Sequence, residues 1–143
     1  MVQFLIAKGA DVNARANDGT TPLIESADYH LEISQLLIAK GVDVNARTND
    51  GKTPLIKAAR VANLDVSKLL VSKGADVNAR DADGMTPLIG AAMSANTDLA
   101  ELLIMKGADV TVRTNSGTTL LNAADSGGNP EMISLLQKYG AKE

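Results

Sequence analysis

The stretch Gly51-Lys52-Thr53-Pro54-Leu55-Ile56 decides the fold of this chain, because it recurs along the chain at a nearly constant spacing. Gly19, Gly84 and Gly117 open similar segments, and the successive intervals are 32, 33 and 33 residues. A second motif, Gly41-Val42-Asp43-Val44-Asn45-Ala46-Arg47, returns in the same register at the segments that begin with Gly9, Gly74 and Gly107. Two linked motifs that recur together indicate an array of repeated structural units.

Each unit predicts two short helices followed by a hairpin-like finger. A threonine stands at the expected start of each first helix, where its hydroxyl can accept a bond from a first-turn N–H. A proline follows it in three units, at the first helical position, where a missing N–H costs nothing. The residues that carry this start signal are Thr21-Pro22, Thr53-Pro54, Thr86-Pro87 and Thr119-Leu120.

The second helix of each unit has its own start and stop signals. Asn63, Asn96 and Asn129 are good N-caps, and His30 is a weaker cap at the same place. A lysine closes the last turn in three units, and the glycine after it can adopt the left-handed conformation that ends a helix. These pairs are Lys40-Gly41, Lys73-Gly74 and Lys106-Gly107.

Neighbouring units have to stack, because helices shorter than about 12 residues are only marginally stable in isolation. Apolar residues at positions i, i+3 and i+4 form one face of each second helix, as in Val66, Leu69 and Leu70. That face can be buried only against the units before and after it. The sequence therefore predicts one continuous all-α domain with no linker.

The repeated pattern resembles the ankyrin repeat, whose signature includes the 33-residue period and the Thr-Pro-Leu start. The resemblance covers essentially the whole chain and implies an all-α solenoid of helix-turn-helix units with hairpin-like fingers. One departure is systematic: Ile24, Ile56, Ile89 and Asn122 replace the histidine that usually follows Thr-Pro-Leu. The unit bounds that we assign are 1–16 (partial), 17–48, 49–81, 82–114 and 115–143, with the last unit as a C-terminal cap whose Asp125 and Gln137 suit an exposed end.

Composition excludes several classes of function. A net charge of -3 argues against a general nucleic-acid or membrane-surface binder, since either would need a basic face. No apolar run approaches the roughly 20 residues of a membrane helix, and the N-terminus does not read as a signal peptide. Cysteines are absent, which excludes disulfides and thiolate metal sites. We expect a cytoplasmic protein that contacts neither nucleic acid nor membrane.

No motif predicts catalysis, a cofactor or a metal. Gly51-Lys52-Thr53 resembles the end of a phosphate-binding loop, but the glycine required five residues earlier is Ala46. Asp81-Ala82-Asp83-Gly84 resembles part of a calcium loop, but the ligand positions at its two ends are Ala79 and Gly90, so we interpret it as a turn. His30, the single histidine, is read as a helix cap. The Ser126-Gly127-Gly128-Asn129 segment is read as the loop between the last two helices.

One arginine per unit should form a line along the fingers, and two interpretations of that line remain open. The four residues are Arg15, Arg47, Arg80 and Arg113. Each could pair with a nearby finger aspartate, an arrangement that is common and weak at protein surfaces. Alternatively, the arginines could contact an acidic partner, because arginine is favoured at interfaces.

The resemblance also implies where a partner would bind. In the ankyrin family the binding surface is the concave side, made by finger tips and first helices, and contacts are expected at positions that vary between units. Large adaptable or amphipathic side chains at such positions make good interface hot spots. The residues that we select as partner-binding are Tyr29, Arg47, Lys52, Arg60, Arg80, Met85 and Met93.

We therefore predict a non-catalytic module that binds a partner protein. The alternative is a structural or spacer segment of a larger ankyrin-repeat protein. Residues Met1 to Lys8 match only the later part of a second helix, which favours a fragment or a trimmed start. An apolar end of that kind should be adhesive, so we also expect possible end-to-end self-association through the truncated first unit.

Overall fold

The computed structural model of the chain describes residues 8–143. Eight helices occur in that range, and the only β structure there is an isolated bridge between Arg113 and Thr119. The predicted all-α class is therefore confirmed. The helices are α1 (Pro22–Ser26), α2 (Leu31–Ala39), α3 (Pro54–Arg60), α4 (Leu64–Ser72), α5 (Pro87–Met93), α6 (Thr97–Met105), α7 (Leu120–Gly127) and α8 (Pro130–Lys138).

The odd-numbered helices begin as the sequence predicts. The hydroxyl of a threonine at each N-cap accepts a hydrogen bond from the backbone N–H three residues later, at 3.2–3.3 Å. In α7 the Asn122 side chain also accepts a bond from the N–H of Thr119, which completes a capping box. These caps satisfy N–H groups that a helix leaves unpaired at its start.

Three of the four even-numbered helices, α4, α6 and α8, begin with asparagines that join two units. The Asn63 and Asn96 side chains each accept a bond from the N–H three residues later, and Asn129 accepts one from Glu131. The same three amides donate to backbone carbonyls of the preceding unit, at Asp28, Ala62 and Ala95 respectively. Each asparagine therefore caps its own helix and also holds the neighbouring unit.

The interpretation of His30 as a cap is confirmed in position, but the capping hydrogen bond is absent. His30 occupies the N-cap position of α2, but its side chain makes no capping hydrogen bond there. The first full unit, 17–48, is one residue shorter than the next two, and α1 has five residues where α3 and α5 have seven. In the longer units a left-handed residue precedes the cap, namely Ala62 (φ 59°), Ala95 (φ 56°) and Gly128 (φ 70°). The shortened first unit reaches its cap position by a different backbone path.

The core is a continuous stack of aliphatic side chains. First helices pack on first helices and second helices on second helices along the array, and the two helices of each unit also touch. Ala58, Ala59, Ala91 and Ala92 are fully buried, so neighbouring first helices approach closely. Ile24, Ile56 and Ile89 are buried as well, which confirms apolar packing in place of the usual histidine.

The last unit differs from the sequence prediction at one point. Ser126 and Gly127 belong to α7 rather than to a loop, and only Gly128 and Asn129 connect it to α8. The Ser126 hydroxyl donates to the carbonyl of Asn122, one turn earlier in the same helix, at 3.0 Å. Asp125 and Gln137 are exposed, as expected at the end of an array.

Candidate protein-binding face

The fingers of successive units are joined by backbone hydrogen bonds. The N–H groups of Asn49, Ala82 and Asn115 donate to carbonyls of the preceding finger, at Asp18, Asp50 and Asp83, over 2.8–2.9 Å. The Asn49 and Asn115 amides add side-chain bonds to the carbonyls of Asn17 and Ala82. The finger tips therefore form a connected edge whose spacing follows that of the helices.

The arginine line has a third role that neither interpretation of the sequence anticipated. Each guanidinium donates to the backbone carbonyl of the arginine one unit later: Arg15 to Arg47 at 2.7 Å, Arg47 to Arg80 at 2.9 Å, and Arg80 to Arg113 at 2.8 Å. Arg113 continues the series to the carbonyl of Glu143 at 3.0 Å. We call this series the arginine ladder.

The expected pairing of these arginines with finger aspartates is wrong. Among the residues from Lys8 onward, every ion pair that joins two side chains involves a lysine. The reason is geometric, because the extended guanidinium reaches the next unit, where a carbonyl offers a fixed acceptor. Asp18 instead bonds the N–H of Thr20, and Asp50 accepts a bond from the Thr48 hydroxyl.

Hydrogen bonds also keep these finger carboxylates ionised. The N–H of Thr20, followed by its hydroxyl, lowers the pKa of Asp18. The Thr48 hydroxyl, followed by Lys52, lowers the pKa of Asp50. Bonds donated to a carboxylate favour its charged form, so both finger tips are anionic at neutral pH.

Finger tips and first helices enclose a row of depressions, which together we call the groove. One is about 680 Å³ and is lined by residues of the second to fourth full units, including Arg60, Asp83, Met85, Met93 and Thr118. A second, of about 320 Å³, lies beside it and shares Arg60. A third, of about 400 Å³, shares Lys52 and Lys57 with the second and extends to Asp18 and Glu25. Shared walls make these depressions one continuous feature.

The N-terminal half of the groove carries lysines that are already neutralised. Lys57 on α3 lies 3.2 Å from a carboxylate oxygen of Asp28 and 3.6 Å from one of Glu25. Lys52 lies 2.9 Å from Asp50. The second oxygen of Asp28 is buried and has no hydrogen-bond partner in the described part of the chain. This half is therefore crowded with compensated charges.

The C-terminal half combines one cation with two methionine side chains. Arg60, at the end of α3, is exposed, and its guanidinium has no hydrogen-bond or ion-pair partner within residues 8–143. Met93, at the end of α5, is 45% exposed, and Met85 on the finger before α5 is partly buried. Thr118 and Ser116 add hydroxyls to the lining.

The structure places the selected residues in three groups. Lys52, Arg60, Met85 and Met93 line the groove. Arg47 and Arg80 are exposed, but their guanidinium groups are engaged in the arginine ladder. Tyr29 is 74% exposed and lines none of the three depressions.

Sequence reasoning missed Lys57 as a groove residue. Its position, six residues after the glycine of the unit, holds Glu25, Gly90 and Ala123 elsewhere. That variation was a usable signal, because contacts are expected where sister units differ. The missing knowledge was the direction of the helix face, which only the stacking of first helices reveals.

The model of the family described as "Ankyrin repeats (3 copies)" matches residues 1–81 and again residues 76–143. The chain therefore belongs to the ankyrin-repeat family. Ankyrin repeats are in general protein–protein interaction modules and are typically non-catalytic. A search among curated proteins found none that matches the chain. In residues 8–143 no helix could span a membrane, and no group of three or more His, Cys, Asp or Glu side chains could hold a metal ion.

Proposed function

We propose that this chain binds a partner protein in the groove, with Arg60, Met85 and Met93 as its main contacts. The observation that carries the proposal is the meeting of an uncompensated cation and two flexible apolar side chains in one depression of about 680 Å³. Arginine and methionine are both enriched in the buried centres of interfaces. Such a site favours a protein surface over a small polar ligand, because its walls are open and mixed in character.

The stacked units also favour binding without rearrangement. Finger hydrogen bonds, asparagine caps and the arginine ladder fix the distance between neighbouring units. A preformed surface loses little conformational entropy on binding. We propose that residues 1–143 act as one such array, with the unit bounds given above.

The other selected residues belong to the edge of the proposed interface. Lys52 lines two of the depressions and pairs with Asp50. Tyr29 is exposed in the loop between α1 and α2. Arg47 and Arg80 can present their remaining N–H donors to an acidic rim while they keep their ladder bonds. Exposed rim charges contribute more to association rate than to affinity.

Affinity capture tests the proposal. The bait is the full chain, compared with a variant in which Tyr29, Arg60, Met85 and Met93 are all changed to Ala. A control variant carries Lys68→Ala and Met105→Ala, which remove an exposed cation and an exposed methionine from the second helices α4 and α6. We expect one protein to be retained by the native and control baits and lost from the groove variant.

Equal recovery on all three baits would contradict the proposed face. Recovery on none of them would contradict a binding module and would agree with a spacer segment instead. Circular dichroism of each bait establishes that the substitutions leave the helices intact, so that a loss of binding reports on contacts.

A further inference from the structure

The unpaired charge of Arg60 distinguishes the C-terminal half of the groove. Lys52 and Lys57 have carboxylate partners within 3.6 Å, and the finger arginines are bonded to carbonyls. Of the cations that line the three depressions in the described residues, Arg60 alone lacks a counter-ion. A partner carboxylate placed there would form a charge-assisted, two-pronged pair without displacing an internal bond.

The stem of Arg60 is held by close packing, which directs the side chain over α5 of the next unit. A Cβ atom added at Gly90 of α5 would lie 3.1 Å from the Cγ of Arg60. The aliphatic stem of the arginine therefore lies against a glycine that leaves room for it. The other units carry Glu25, Lys57 or Ala123 at the position of Gly90. The glycine that makes room for the Arg60 stem therefore occurs only in the third full unit.

The methionines beside Arg60 define the second requirement. Met85 and Met93 line the same depression, and both are unbranched side chains that adapt to the shape of an apolar group. The rest of the lining is mostly polar, with hydroxyl and amide groups at Thr114, Asn115, Ser116 and Thr118 beside Asp83, Ala123 and Ser126. These groups already bond one another or the finger backbone, but their remaining oxygen lone pairs can accept backbone N–H groups of a chain laid along the fingers. A lipid tail or an inorganic anion supplies no such donors.

We infer that the occupant of this half of the groove is a linear segment of a partner protein in which an Asp or Glu stands next to a large apolar residue. The inference rests on the proposed function and specifies the chemistry of that partner. The carboxylate pairs with Arg60, and the apolar side chain packs between Met85 and Met93. Asp83, which lines the same depression, accepts backbone N–H groups of the segment and disfavours a second acidic residue there.

Selection from a phage-displayed library of random linear peptides tests this inference without knowledge of the natural partner. Native protein, an Arg60→Glu variant and a Lys68→Glu variant are used as targets. The two variants change the net charge equally, but Lys68 lies on α4, outside the groove. We expect native protein and Lys68→Glu to enrich the same acidic-apolar pair. Arg60→Glu should enrich a basic-apolar pair instead.

Affinity measurements on one enriched peptide complete the test. Met93→Ala and Arg60→Ala should each weaken binding by about tenfold or more, the effect of a single interface hot spot. Arg60→Lys should retain part of the affinity, because the charge remains while the two-pronged geometry is lost. Thermal melting of each variant shows whether it is folded.

Three results would overturn the inference. Enriched peptides that are basic or lack an acidic residue would contradict the carboxylate, yet the proposed function would survive if their binding still depended on groove residues. Failure to enrich any peptide would contradict a linear segment and leave a folded partner. Peptides whose affinity is unchanged by every groove substitution would contradict both the inference and the proposed function.

Discussion

At the scale of single residues, the fingers depend on positions where a side chain has no room. Gly84 has a φ of 81°, and a Cβ atom added to it would lie 2.8 Å from the backbone nitrogen of Asn115 in the next finger. Gly117 has a similar φ of 89°, but nothing lies within 4 Å of an added Cβ. The two glycines therefore separate the cost of a backbone conformation from the cost of a collision.

We predict that Gly84→Ala destabilises the fold about twice as much as Gly117→Ala. The left-handed conformation costs an alanine about 1–2 kcal/mol at either position. At Gly84 the clash with the next finger adds about 1–3 kcal/mol, the usual range for overpacking. Urea unfolding monitored by circular dichroism measures both free energies of unfolding. Equal losses for the two variants would show that the fingers can separate without cost.

Asp50 gives a prediction for the pH dependence of stability. Bonds from Thr48 and Lys52 lower the pKa of Asp50 in the folded chain. Its contribution is therefore present above the unfolded pKa of about 4 and is lost as the pH falls through the lower folded value. We expect Asp50→Asn to flatten the acid side of the curve of urea midpoint against pH.

The matched control for this prediction is Asp125→Asn. Asp125 is exposed at the end of α7, and its carboxylate makes no hydrogen bond or ion pair within residues 8–143. Its removal should not flatten the acid side. An Asp50→Asn curve that runs parallel to the native one would show that the finger bonds contribute nothing to folding.

At the scale of helices, the sequence predicted starts and ends well and connections less well. Caps such as Thr53 and Asn63 act within one turn, so a local pattern is enough to find them. The capping bond expected from His30 is absent because the first full unit is one residue shorter than the next two. The sequence shows this as a spacing of 32 residues, but the spacing does not predict where the side chain lies. Glycine has a low helix propensity, but Gly127 still belongs to α7 because α7 packs closely on α5. A Cβ atom added to Gly127 would lie 2.7 Å from the carbonyl oxygen of Ala92.

The uncapped start of α2 predicts a stabilising substitution. His30→Asn should raise the free energy of unfolding by about 1 kcal/mol, because asparagine can accept the first-turn N–H that the histidine leaves unbonded. His30→Ala should be nearly neutral by comparison, since it removes no capping bond. Amide hydrogen exchange in the first turn of α2 reports the effect locally. Destabilisation by both substitutions would mean that the imidazole has a structural contact of its own.

At the scale of the whole molecule, stability depends on contacts between units that no single unit reveals. The arginine ladder is an example, since the sequence places Arg80 and Asp83 close together but the structure sends Arg80 to the carbonyl of Arg113. The target depends on the distance between fingers, which the stacking of first helices sets. The same stacking brings Arg60 of one unit beside Met85 and Met93 of the next. The sequence could therefore predict which face carries the groove, but not which side chains meet in it.

The ladder predicts unequal effects for Arg80→Ala and Asp83→Ala. Removal of the guanidinium should cost about 0.5–1.5 kcal/mol, the usual net contribution of one hydrogen bond. The Asp83 carboxylate bonds no arginine in the described residues, so its removal should change the free energy of unfolding by less than about 0.5 kcal/mol. Equal losses of the free energy of unfolding for the two variants in a urea titration would indicate an ion pair between Arg80 and Asp83. That result would contradict the ladder.

The central claim, that a partner protein occupies the groove, is tested most directly by the methyl signals of the methionines. The chain has five, of which Met85 and Met93 line the groove, Met105 is 73% exposed on α6, and Met132 is buried in the core. Carbon-13 labelling of the methionine methyl groups allows each to be followed by NMR as the captured partner is added. Binding in the groove predicts large shifts for Met85 and Met93 with Met105 and Met132 unchanged. A shift of Met105 while Met85 and Met93 stay in place would put the partner on the second helices and contradict the account.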